Sequence, residues 1–162
     1  MTKVRYRRVS IQLWSDSKIR ALGRDAALVW LYLLTHPTLL AFGCMRARPS
    51  ALALEIPWLV EPEAFEAAFE KLVDAGMVWV DEDPDALFLA LPKFLIHNPP
   101  YSPKVVKSWH RLAGLVPECP GRDRYFARVC QMVEDRGERF AAALPEVFLE
   151  ARKSEEGTTA HA

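Results

Sequence analysis

Residues 61–92 read EPEAFEAAFEKLVDAGMVWVDEDPDALFLALP, and the change of period within this stretch decides the fold. In its first half Phe65, Phe69, Leu72 and Val73, flanked by Ala64 and Ala68, form one apolar stripe at helical spacing. Pro62 suits a first helical turn, where a missing N–H costs little, and the early acids complement the dipole. Gly76 is placed to end the helix in the left-handed conformation. The second half then reads strand, turn, strand: β-branched and aromatic residues flank DEDPDA, which carries the turn residues.

Upstream, SDSKIRALGRDAALVWLYLLTHP (15–37) holds two helical signals. Asp16 or Ser15 can cap a short helix over Ile19 and Leu22, with Gly23 at its end. From Arg24 to Thr35 the chain is almost continuously apolar, which predicts a central core helix stopped by Pro37. FGCMRAR (42–48) predicts a short strand entered at Gly43. PSALALEIP (49–57) predicts a short helix with Pro49 in its first turn. The order helix, strand, helix, helix, hairpin is that of a winged helix. The expected fold is therefore mainly α with a small β-wing: a winged helix-turn-helix domain over 1–98.

Downstream lies HNPPYSPKVVKSWHRL (97–112), where the prolines stop the last strand. Ser102 and Pro103 predict a helix from Pro103 to Leu112. GRDRYFARVCQMVEDRG (121–137) and ERFAAALPEVFLEARK (138–153) suggest two more, with Pro145 kinking or restarting the second. These form an expected C-terminal helical extension over 99–152, with 153–162 as a disordered tail. No internal repeat is present.

The chain has 162 residues, 51% hydrophobic and 26% charged, the profile of a soluble globular protein. No run approaches the roughly 18–20 apolar residues needed to span a bilayer, so no membrane association is expected. The basic N-terminus lacks the apolar core of a signal peptide, which makes the cytoplasm the expected compartment. Cys44, Cys119 and Cys130 are odd in number and widely spaced, unlike a disulfide framework. The four histidines fall in different elements, and no CxxC or HxxxH spacing occurs. There is no Gly-x-Ser-x-Gly elbow, phosphate-binding loop or dinucleotide fingerprint. No enzyme, cofactor or metal is expected.

Lys and Arg number 21, as do Asp and Glu, so the net charge is zero, yet the charges are segregated. Seven basic residues and one acid, Asp16, lie between Met1 and Arg24. Ten acids face only Lys71 between Glu55 and Asp85. Ala86 to Pro117 holds Lys93, Lys104, Lys107 and Arg111 and no acid. In many winged helices the third helix enters the major groove. Here that helix is 61–75, and Glu63, Glu66, Glu70 and Asp74 share the face opposite its apolar stripe. Such a wall repels phosphates. The acidic turn raises the same objection to a wing-in-groove mode.

The basic groups lie elsewhere. An N-terminal arm carries Lys3, Arg5, Arg7 and Arg8 around Tyr6, and Lys104, Lys107 and Arg111 recur on one face of the 103–112 helix. The expected DNA-binding residues are Arg5, Arg7, Arg8, Lys18, Arg20, Lys93, Lys104, Lys107 and Arg111. Tyr101 and Trp109 are the candidates for base stacking, as in single-strand binding. The plain alternative has Trp109 packing its helix on the core and the lysines simply facing solvent.

Four stretches occur in order: LWSDSKIRALGRDAALVWLYLLTHP (13–37), a short G-x-x-R strand, FEKLVDAGMVWVDED (69–83) and FLIHNPPYSPKVVKSWHRL (94–112). Together they resemble phage and prophage replisome-organiser proteins, whose N-terminal winged helix is similar to that of DnaD-type primosomal proteins. The likeness runs from about Arg5 to Pro117 and is most specific in HNPP-x-x-P-x-x-V-K-x-W. It implies a role in DNA replication, at a phage origin or in loading a replicative helicase, with self-association into a homo-oligomer through the winged helix. Such proteins often carry a longer C-terminal region. Here about forty-five residues follow Pro117, hence the expectation of a truncated or stand-alone version. Two alternatives stay open: a primosomal adaptor without DNA contact, using Trp58, Trp79 and the acidic face, and a winged-helix transcriptional regulator.

Overall fold

A computed structural model describes residues 5–159. The chain is mainly helical with one small, open sheet. After a 3-10 turn at Ile11–Ser15, helix α1 (Ser17–Leu22) starts at Asp16, whose carboxylate accepts from Lys18 N at 2.8 Å and Ile19 N at 3.3 Å. Helix α2 (Arg24–Thr35) follows directly and buries Ala26, Val29, Leu33 and Leu34. Strand β1 (Cys44–Arg46) leads to α3 (Pro49–Ala53) and α4 (Pro62–Asp74), each with proline in its first turn. Helix α4 packs on α2 and α3 through Phe65, Ala68, Phe69 and Leu72. Strands β2 (Trp79–Val80) and β3 (Phe88–Ala90) complete a sheet ordered β1–β3–β2, antiparallel throughout, with Met45 opposite Leu89 and Trp79 opposite Ala90.

Beyond the sheet the structure departs from expectation in three places. A short helix α5 (Phe94–His97) forms where the sequence suggested only the end of a strand. The expected helix over 103–112 is two pieces, α6 (Pro103–Ser108) and α7 (His110–Ala113), separated at Trp109. Trp109 keeps right-handed helical angles (φ −66°, ψ −18°), so the path bends rather than reverses. Helix α8 (Pro120–Glu134) is followed by a short α9 (Glu138–Ala141), and the chain restarts after Pro145 as α10 (Glu146–Thr159). Residues 153–159, expected as tail, continue α10. Its Phe148 and Ala151 are buried, and Arg152 pairs with Glu134 of α8 and, at 3.9 Å, with Glu156 one turn on. Residues 160–162 of that expected tail lie outside the described residues.

The core does not divide at residue 98. One cluster runs from Ala26 and Val29 of α2, through Phe42, Met45 and Leu89, to Tyr125, Phe126, Val129 and Phe148. The rings of Phe126 and Phe148 stack at 4.3 Å, and Phe42 meets Phe126 and Phe148 edge-on at 5.8 and 5.2 Å. Through this layer Tyr125 of α8 sends its hydroxyl to the carbonyls of Phe42 (2.7 Å) and Leu91 (3.2 Å). Gly43 makes the approach feasible: its φ is +87°, and a Cβ there would lie 2.5 Å from Phe94 Cβ and 2.6 Å from the Tyr125 hydroxyl.

A second tie joins the hairpin to α8. The carboxylate of Asp81, just after β2, accepts from Gly121 N (2.5 Å) in the first turn of α8 and from Asp83 N (2.8 Å). Burial pushes this carboxyl up, but the two backbone N–H groups, the Cys119 thiol and the Arg124 charge outweigh it and hold it below the usual range.

Replacing Tyr125 with Phe removes the hydroxyl donor from Phe42 O, while Leu91 O keeps Phe94 N at 2.9 Å. It is expected to cost about 1–3 kcal/mol in chemical denaturation, whereas Tyr101→Phe at an exposed site stays within about 0.5 kcal/mol. For Asp81 the folded pKa is depressed, so its contribution is full above the unfolded carboxylate range near 4. It is lost as pH falls through the lower folded value. The stability gap between the native chain and Asp81→Asn is therefore largest at neutral pH and closes in acid, measurable by urea titration across that window.

Candidate nucleic-acid interface

Helix α4 turns its acids outward. Glu63, Glu66, Glu70 and Asp74 are all exposed, opposite the buried Phe65, Phe69 and Leu72. None of the four is ion-paired among the described residues. At the hairpin tip Asp83 accepts from Asp85 N at 2.9 Å, and Asp85 reaches Arg48 at 3.6 Å, an exposed pair of small energetic weight.

The nine expected DNA-binding residues fall into three groups. Arg5 and Arg7 are committed to the fold: Arg5 donates to Pro37 O (3.2 Å), and half-buried Arg7 donates to Leu39 O (2.8 Å). The Arg7 guanidinium also lies over the Phe94 ring, 5.3 Å from its centroid. Burial, and then the neighbouring Arg5 charge, lower its pKa. Arg7 is thus a strut holding the arm on the core, with its guanidinium half-buried. Lys3 lies outside the described residues.

Arg8, Lys18 and Lys93 form the second group, around one cleft. The Arg8 backbone is clasped by Asn98, whose Oδ1 accepts from Arg8 N (2.7 Å) and whose Nδ2 donates to Arg8 O (3.2 Å). Its guanidinium stays exposed. Lys18 Nζ donates to Ala75 O at the end of α4, favourable for a cation at a helix C-terminus.

Arg20 in α1, Lys104 and Lys107 in α6 and Arg111 in α7 make up the third group, all exposed and without a side-chain ion pair among the described residues. On α6–α7 the inward side carries Val106, Trp109 and Ala113, so the three basic groups share the outward side.

Tyr101 is 82% exposed at the entry to α6, its ring open to solvent. Trp109 is 1% exposed and cannot stack on a base: its ring packs on Phe42 (5.4 Å) and Phe148 (6.0 Å). Its indole N–H is buried without a partner. Trp79, a candidate partner contact, is half-buried. Arg124 and Arg128, one turn apart on α8, lie over its ring at 4.7 and 5.9 Å, and Arg128 Nε donates to Pro92 O at 2.7 Å. That pair went unread in the sequence, where the i, i+4 spacing was visible but its target was not. Trp58, by contrast, is 80% exposed beside exposed Leu54 and Leu59.

Elsewhere, His36 Nε2 meets Glu55 at 2.9 Å, Tyr32 donates to the same carboxylate at 2.5 Å, and Thr38 Oγ1 lies 2.8 Å from His36 Nδ1. The Tyr32 hydroxyl, and then His36, hold the Glu55 carboxyl below its usual range. Thr38 N also donates to Nδ1, at 3.2 Å. The imidazole thereby closes the turn after α2 and ties it to Glu55, just past the end of α3. Burial pushes the Cys44 thiol well up, the state of an unreactive core cysteine.

Among the described residues no group of three or more His, Cys, Asp or Glu could hold a metal ion, and no helix is long and apolar enough to cross a membrane. Comparison with family models, curated proteins and solved structures finds no match for the chain.

Arg7→Ala is expected to destabilise the fold by about 1–3 kcal/mol, since its charged hydrogen bond and its packing go together. Lys104→Ala is expected to change stability by less than about 0.5 kcal/mol. Paired denaturation curves compare the two.

Proposed function

We propose that the chain is a replication-associated winged-helix protein that binds DNA along the outward side of α6–α7 and self-associates. The order α2, β1, α3, α4, β2, β3, with β1 joined to the hairpin through β3, supports the winged-helix reading. One observation carries the DNA reading: Lys104, Lys107 and Arg111 are all exposed and without an ion pair among the described residues, on the helices that exposed Tyr101 leads into. Basic groups can track phosphates while a neighbouring ring stacks on a base, which favours single strands over a duplex groove. The acidic face of α4 points the same way, because the usual groove-reading helix would meet phosphates with carboxylates. The resemblance to replisome organisers supplies the replication context.

A second reading, a primosomal adaptor without DNA contact, is favoured by exposed Trp58, Leu54 and Leu59 beside the acidic helix. Recovery of a replicative helicase or loader by the chain, with no DNA shift at any salt concentration, would select it.

The deciding titration sets matched single- and double-stranded DNA against the protein at two salt concentrations. Single strands are expected to bind more tightly. Changing Lys104, Lys107 and Arg111 together to Ala is expected to flatten the log–log salt dependence by about 2, from three lost contacts at roughly 0.7 each. Absent binding at low salt, or binding that the triple change leaves intact, sinks the proposal.

A further inference from the structure

The N-terminal arm, α1, α2 and α5 enclose a cleft of about 190 Å³ that the DNA reading leaves unused. Lys104, Lys107 and Arg111 do not line it. Its floor is apolar, formed by Leu13, Ile19, Leu34, Met77, Leu91 and Phe94. Its rim carries Arg8, Lys18, Lys93 and His97 against a single acid, Asp16. That acid is already engaged, accepting the two N–H groups that start α1. The rim is therefore a cationic collar around a greasy hole.

Three features narrow the occupant. The volume lies below the roughly 300 Å³ at which drug-sized sites begin, and suits one side chain. Part of the polar lining is already engaged: Ser10 Oγ accepts from Gln12 N at the start of the 3-10 turn, Asn98 clasps Arg8, Asp16 caps α1, and Lys18 Nζ donates to Ala75 O. A nucleobase seated on the apolar floor would surrender water at its polar edge where the floor side chains offer no strong partner, a cost of about 1–3 kcal/mol per unsatisfied group. An aliphatic or phenyl side chain surrenders nothing. Finally, the collar favours carboxylates on either side of that anchor.

We propose that this cleft docks an acidic peptide segment of a partner protein, seating one bulky apolar side chain on the floor while flanking carboxylates meet Arg8, Lys18 and Lys93. The site is independent of the α6–α7 surface, and its test fails or succeeds separately from DNA binding.

The probe is a fluorescein-labelled peptide with one Phe flanked by Asp on both sides, titrated by anisotropy against the full chain. Two controls accompany it, one with Ala for Phe and one with Lys for Asp. Each control is expected to bind at least tenfold more weakly. Arg8→Glu and Lys93→Glu, both at exposed side chains, are each expected to weaken the Phe peptide at least tenfold. The triple change at Lys104, Lys107 and Arg111 is expected to leave it within twofold. Equal binding of the Ala peptide would reduce the site to charge attraction and overturn the proposal. So would Lys93→Glu without effect, no peptide binding at all, or displacement of the peptide by oligothymidylate from the triple variant. Self-association that Lys93→Glu abolishes, without peptide binding, would assign the cleft to a second copy and overturn it as well.

Discussion

The hydroxyl of Tyr125 is where the two halves of the chain are joined. It sits on α8, in the C-terminal third, yet its acceptors are the carbonyls of Phe42 and Leu91, which bracket the sheet. A buried hydroxyl must find partners or lose about 1–3 kcal/mol, so the bond fixes both the depth and the rotation of α8. Gly43 is the counterpart: only a residue without Cβ, at φ +87°, leaves room for the ring and for Phe94. Once α8 is seated, Phe126 meets Phe42, α10 covers both through Phe148, and Asp81 closes the far end by capping the helix from the hairpin. The C-terminal helices complete a core that the first 98 residues leave open.

That seating also decides which surfaces remain. With α8 against the sheet, Trp79 is partly covered by Arg124 and Arg128. Trp109 is drawn into the aromatic layer, and this rotates α6–α7 so that Lys104, Lys107 and Arg111 face out. Burying one indole and exposing three cations are two sides of one rotation.

Local chemistry was legible in the sequence, and long-range geometry was not. The bounds of α4, the cap at Asp16 and the proline starts of α3, α4 and α6 depend on neighbours within four residues, so reading them needed no fold. The outward acids of α4 followed from its period alone. The break at Trp109 was hidden because its cause is a ring pulled toward Phe42, sixty-seven positions away. The helical continuation through 153–159 was hidden too, because Arg152 is anchored by Glu134 on another helix. Arg7 shows the limit most clearly. Its charge was visible, but its place as a strut against Leu39 O and the face of Phe94 was not. Charge type is written in the sequence, but burial of a charge is a property of the packed chain.

A net charge of zero has little bearing on what this surface attracts. At about 0.1 M salt, charges more than roughly 10 Å apart are screened from one another. A polyanion at contact range therefore responds to the nearest block rather than to the sum. Helix α4 and the hairpin tip present carboxylates, while α6–α7 and the arm present cations, each with few opposing charges beside them. Such a molecule is repelled in one orientation and held in another, so its segregated charge selects the face that docks before any specific contact forms.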